Sequence, residues 1–166
     1  MPDGTQSAAK FRVFQWPVDE APGGLRIFAC QHKTRETVWI SELMKHANGA
    51  RRLKQALIVT PDPAKDSAQL SRMIDRDART EPDGAVAVPS GGDRADFVFL
   101  TKDQLGKRYT GVSLAGLPER GGAGLVIAAD LTAAEKALGA VGVHSAGGIV
   151  VPPAAGSGTL LAFVKA

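Results

Sequence analysis

The feature that most constrains this chain is an order of elements that occurs twice. Ala56-Leu57-Ile58-Val59 leads to Asp62 and an amphipathic helical stretch, and Leu125-Val126-Ile127-Ala128 leads to Asp130 and another. Gly84-Ala85-Val86-Ala87-Val88-Pro89 matches Gly147-Gly148-Ile149-Val150-Val151-Pro152, each with a glycine start and a proline stop. Phe97-Val98-Phe99-Leu100 matches Leu161-Ala162-Phe163-Val164. The offset stays near ~65 residues, as in a duplicated supersecondary unit. Each unit leaves one face of a small sheet uncovered. Side-by-side pairing buries that face and lets the strands curl into an incomplete barrel with the helices outside. The predicted class is α+β, with paired units at 53–105 and 123–166 inside a domain spanning 51–166. The concave face is the natural pocket.

Local signals place the elements. Asp62 can cap the helix that Pro63 opens. Thr101-Lys102-Asp103-Gln104 and Thr132-Ala133-Ala134-Glu135 read as capping boxes. Residues 110–122, with Gly111, Gly116, Pro118, Gly121 and Gly122, read as the linker between units. Ahead of the first unit, residues 1–10 are polar and predicted to fray. Residues 11–50 read as a hairpin plus an irregular segment, with strands at Phe11–Trp16 and Leu25–His32. An isolated hairpin is marginal in water. Its residues Phe11, Val13, Phe14, Ile27 and Phe28 need cover, from the module pair or from the same hairpin of a second copy in a homodimer.

Composition narrows the function classes. The formal charge is +3 and the aromatic content 5%, which argues against a nucleic-acid partner. Arg51-Arg52-Leu53-Lys54 reads as the solvated start of a strand. The single cysteine, Cys30, cannot form an internal disulfide. No stretch resembles a signal peptide or a membrane span, so a cytoplasmic location is expected. Cys30 and His32 share a strand face, but a lone cysteine in an apolar strand is usually inert. His144 reads as a surface residue.

Several stretches carry a family resemblance: Phe28-Ala29-Cys30-Gln31-His32, Val38-Trp39, His46-Ala47-Asn48-Gly49-Ala50 and Gly148-Ile149-Val150-Val151-Pro152-Pro153. With the paired units they resemble glyoxalase-like proteins of the vicinal oxygen chelate superfamily, built from βαβββ modules. The resemblance covers about residue 11 to the C-terminus. It implies a further module pair ahead of residues 11–32, which look like the closing strands of such a module. A short relative, a truncated gene and a piece of a longer protein all fit.

Metal-dependent members place a histidine near the start of a module's first strand and a carboxylate on its last. Here those positions fall near Lys54 or Gln55, Ala123, Val98 and Ala162, none of them His, Asp or Glu. The expectation is a small-molecule binding protein without a metal or other cofactor. The alternative is a divalent-metal-dependent lyase, isomerase or ring-cleavage dioxygenase of the same superfamily. Whether it is an enzyme stays open, and no catalytic residue is assigned. The polar groups concentrated at residues 30–48 are the candidate ligand-binding set: His32, Trp39, His46 and Asn48. The competing reading gives them structural roles in an irregular loop, and a metal site from Cys30, His32 and His46 matches no standard zinc spacing.

Overall fold

In the computed structural model, which describes residues 4–166, strands β1 (Phe11–Gln15) and β2 (Phe28–His32) precede β3 (Ala50–Val59) and helix α1 (Pro63–Ile74). Strands β4 (Arg79–Thr80), β5 (Val86–Pro89) and β6 (Asp96–Leu100) then lead to α2 (Lys102–Arg108). The chain continues through β7 (Gly121–Ala129), α3 (Leu131–Leu138), β8 (Val143–Ser145), β9 (Gly148–Val151) and β10 (Leu160–Lys165).

Eight strands form one sheet in the order β4-β5-β6-β3-β7-β10-β9-β8. Each half runs β-α-β-β-β. In each, the first strand pairs in parallel with the last: β3 with β6 and β7 with β10. The remaining strands add antiparallel outward. The two first strands, β3 and β7, meet antiparallel at the centre. Strands β4 and β8 end the order without pairing to each other, so the sheet is unclosed. This is the α+β, paired-module, incomplete-barrel class that the sequence predicts.

The central ladder is irregular for a reason. The β3–β7 register shifts between Ala50 and Arg52, between Leu53 and Gln55, and between Leu57 and Ile58. Extra residues on one strand bend and twist a sheet, which curls a wide sheet around one face. The basic run Arg51-Arg52-Leu53-Lys54 lies in this bulged, exposed end of β3.

Strand alternation separates two cores. On the outer face, Ile58, Val88 and Phe99 pack against Leu70 and Ile74 of α1, while Ile149, Val151 and Phe163 pack against Ala134 and Leu138 of α3. Both long helices therefore lie on the same side. On the inner face, Leu57, Val98, Leu100, Val150, Leu160 and Ala162 form one cluster shared by the two halves.

Helix starts follow their caps. The Asp62 carboxylate accepts from the Lys65 amide, and Pro63 opens α1. Thr101 and Gln104 form a complete capping box at α2. At α3 the cap is not Thr132. Asp130 accepts from the amides of Thr132 and Ala133 at 3.0 and 3.2 Å, and the helix starts at Leu131. Asp130 follows β7 directly, and its carboxylate reaches the first-turn amides before any threonine hydroxyl is in position.

Several boundaries also differ from the sequence expectation. Strand β2 begins at Phe28 instead of Leu25, because residues 22–24 form a tight turn and Leu25 and Ile27 pack onto the outer core. Gly23 has φ 63, and a Cβ there would lie 2.8 Å from an Ile58 methyl, so only glycine fits this approach. Strand β7 begins at Gly121, inside the expected linker, while Val112 and Leu117 of that linker are buried in the inner core. Residues 4–10 carry no helix or strand and are exposed. Residues 1–3 of the predicted frayed terminus lie outside the described residues.

Candidate functional site

The inner face is filled unevenly. Leu105 of α2, with Tyr109, Val112 and Leu117 after it, covers the inner face of the first module, and Val98 and Leu100 there are sealed from solvent. The second module keeps its space. A cavity of about 390 Å³ opens there, with an apolar floor of Val126, Val150, Ala162 and Val164. Gly148 also lines it, and a Cβ at that position would lie 2.2 Å from the Phe163 carbonyl oxygen. A side chain there would break the β9–β10 approach that forms the floor.

The polar wall comes from four places: Gln55 on β3, Glu81-Pro82-Asp83 in the turn between β4 and β5, Arg108-Tyr109 at the end of α2, and Ser145 at the end of β8. The turn is closed by the Gly84 amide donating to the Glu81 carbonyl at 2.9 Å, with Gly84 at φ 80. Arg108 clamps it. Its Nε donates to Asp83 at 2.7 Å and its Nη2 to Glu81 at 2.8 Å. Gln55 donates from Nε2 to the other Glu81 oxygen at 3.1 Å. Gln104 adds a bond from its amide to the Asp83 carbonyl at 3.3 Å. Arg108 and Glu81 are well covered, with side chains 15% and 16% exposed. This network is preorganised by the fold and faces an apolar floor, the usual composition of a ligand pocket.

The environment sets the protonation states. Burial alone would raise the Asp83 carboxyl, but the hydrogen bond from Arg108 and the Ala85 amide hold it below the ordinary carboxylate value. Burial works against the Arg108 charge as well, yet Asp83 and Glu81 keep the guanidinium above its usual value. Burial pushes the Tyr109 phenol up, so it is a neutral hydroxyl. Tyr109 is buried, 4% exposed, and lines the cavity.

The residues present do not fit a divalent metal. Leu57, Val98, Ala123 and Ala162 put apolar side chains on the inner face. The two carboxylates at the cavity are already engaged by Arg108, and no histidine lines it. A divalent ion needs several N or O donors converging on one point. Among the described residues no group of three His, Cys, Asp or Glu side chains is gathered for one.

The expected set at 30–48 is distributed differently. His32 and Trp39 meet, with ring centroids 5.9 Å apart, and Phe11 packs edge-on to His32 at 5.0 Å. Arg35 lies over Trp39, 5.7 Å from the ring centre. The Nδ1 atom of His32 is buried and has no partner among the described residues. His46 lines a separate depression with Leu53, Leu125 and Ile127 on the outer face. Asn48 accepts from the Ala50 amide at 3.1 Å, a local turn contact. None of the four lines the inner-face cavity. Cys30 is half-buried opposite Val13 of β1. His144 is exposed, 3.1 Å from a Glu135 oxygen.

Sequence reasoning passed over Glu81, Asp83, Arg108 and Tyr109. The Pro-Asp-Gly signal marks a turn, but nothing local links it to an arginine 25 residues later. The signal available was indirect: a carboxylate on each side of Pro82, and an arginine ending a capped helix.

No family profile and no curated protein sequence matches this chain. Among solved structures, methylmalonyl-CoA epimerase from Mycobacterium tuberculosis is similar over 72% of this chain and 95% of that one, at 14% identity and a TM-score of 0.48. The reading of the site rests on the geometry alone.

Proposed function

We propose that this chain is a glyoxalase-like protein of the vicinal oxygen chelate type that binds a small molecule in the inner-face cavity without a resident metal. The observation that carries the reading is the cavity itself. It pairs an apolar floor with a fixed polar wall, and Tyr109 is part of that wall. A space left by packing error would not have three hydrogen-bonded residues from separate elements arranged along one side.

The donor set argues against the metal-dependent alternative. The two carboxylates of the cavity wall are tied to a guanidinium and no histidine joins them, so the wall gathers no set of free ionised ligands for a metal shell. Elemental analysis of the purified protein checks this: stoichiometric zinc, nickel, manganese or iron would return the metal-dependent reading.

The binding reading is tested by a thermal-shift screen of small aromatic and aliphatic compounds, because a ligand that binds only the folded state raises its stability. Val164→Trp fills the cavity from the partly exposed part of its floor, and Val126→Phe from the buried part. Hits on the wild type should be lost in whichever variant keeps its melting transition. Hits that survive in a folded, filled variant place the ligand elsewhere and defeat the reading.

A further inference from the structure

The cavity has a sign. Three charged residues line it, Glu81, Asp83 and Arg108, and the count of two carboxylates against one guanidinium leaves one negative charge in excess (−2 + 1 = −1). Arg108 is not offered to a ligand through the groups that meet the carboxylates, since both Nε and Nη2 are spent on them. No lysine or second arginine lines the wall.

The hydrogen-bonding inventory leans the same way. Gln55 spends one of its two amide N–H groups on Glu81, and its Oε1 remains an acceptor. Ser145 donates its hydroxyl to the Thr110 carbonyl at 2.9 Å and keeps its lone pairs. Tyr109, 4% exposed, adds a phenol that can accept or donate. Carboxylates and amide carbonyls accept only, and hydroxyls can accept. The wall keeps donors as well as acceptors, and it is the excess carboxylate that decides the sign, so a partner with several donors and a positive charge suits it best. A protonated amine is such a group. An anionic head would meet two carboxylates across a wall that excludes much of the water.

We propose that the ligand of this cavity carries a protonated amine on an apolar body. The amine sits against Glu81, Gln55, Ser145 and Tyr109, and the body lies along Val126, Val150, Ala162 and Val164. This inference rests on the ligand-binding reading above and names the chemical class of its ligand. Glu81 is the specificity determinant, because it is the best-covered carboxylate of the wall and Gln55 and Arg108 fix both of its oxygens.

The test uses three probes with one apolar body: 2-naphthylmethylamine, 2-naphthamide and 2-naphthoate. Affinities are measured by calorimetry on the wild type, Glu81→Gln, Tyr109→Phe and Val164→Trp. The amine should bind at least about tenfold tighter than the amide or the carboxylate. Glu81→Gln should shrink that preference to within about threefold while leaving the amide nearly unchanged. If Glu81→Gln fails to fold, Tyr109→Phe carries the same comparison, with the amine losing more than the carboxylate. Equal or tighter binding of the amide or carboxylate, lost in Val164→Trp, overturns the cationic ligand and leaves the cavity reading standing. Binding of none of the three, or binding that survives in Val164→Trp, overturns both.

Discussion

Arg108 donates from Nε to an Asp83 carboxylate oxygen at 2.7 Å, tying the last turn of α2 to the turn between β4 and β5. The same guanidinium reaches Glu81, so one side chain holds the polar wall of the cavity together. Arg108→Met keeps the aliphatic stem and removes the charge. Glu81 is then left with an uncompensated, largely covered carboxylate. The expected loss is about 1–3 kcal/mol of folding stability, below the figure for a fully buried pair because Asp83 is partly solvated. Urea unfolding with an unchanged slope checks it. A midpoint equal to wild type would mean that solvent replaces the clamp.

Asp83 makes the clamp sensitive to acid. Its folded pKa lies below its unfolded value, chiefly because Arg108 outweighs the cost of burial. The unfolded state therefore takes up the proton first as pH falls. The stabilisation is fully present above the unfolded pKa and is lost as pH drops through the folded one, below the ordinary carboxylate range. Asp83→Asn should be less stable than wild type at neutral pH, and the gap should close in strong acid. A gap independent of pH would assign the effect to packing.

Asp66 is 2% exposed at the start of α1, where it accepts from the Thr60 hydroxyl at 2.5 Å and from Arg120 at 3.0 Å. Those three residues join the end of β3, the helix and the chain entering β7. Asp66→Ala leaves the Thr60 hydroxyl in the core without an acceptor and frees Arg120 from its only carboxylate among the described residues. The expected cost is about 2–4 kcal/mol. Thermal or urea unfolding measures it, and Asp66→Asn should recover part, since its amide oxygen still accepts from Thr60.

The hairpin β1–β2 should take part in self-association. Phe11, Phe14 and Phe28 are 47%, 62% and 54% exposed, and every residue of β1 is open to solvent. The chain exposes 9977 Å², against about 7,800 Å² for a compact monomer of 17.3 kDa. That surplus exceeds the roughly 800 Å² that one partner gives to a standard interface, and the exposed residues 4–10 share it with the hairpin. Sedimentation at rising concentration should show a dimer, weakened in Phe14→Ser/Phe28→Ser. A monomer at all concentrations removes this expectation.

The pattern of residues alone determined the module order. Strand alternation, the caps at Asp62 and Thr101, and the matching Gly-start and Pro-stop are encoded within a few positions of each other, where local sterics and amide satisfaction act. The same locality explains the misplacements. Thr132 resembles a cap, but only the end of β7 shows that Asp130 reaches the amides first. The linker 110–122 reads as loop because its glycines are local signals, whereas the burial of Val112 and Leu117 depends on which face the sheet leaves empty. The cavity was beyond local reading altogether. Glu81 and Arg108 lie 27 residues apart, and each alone is an ordinary surface charge. They become a site because β4 and α2 end at the same rim of the inner face, a proximity that only the folded sheet creates. The concentration of His32, Trp39, His46 and Asn48 was legible as composition, yet the fold sends His32 and Trp39 to the hairpin and His46 to the outer face. Nearness in sequence places side chains in one segment; the direction in which the backbone turns them is decided by tertiary packing.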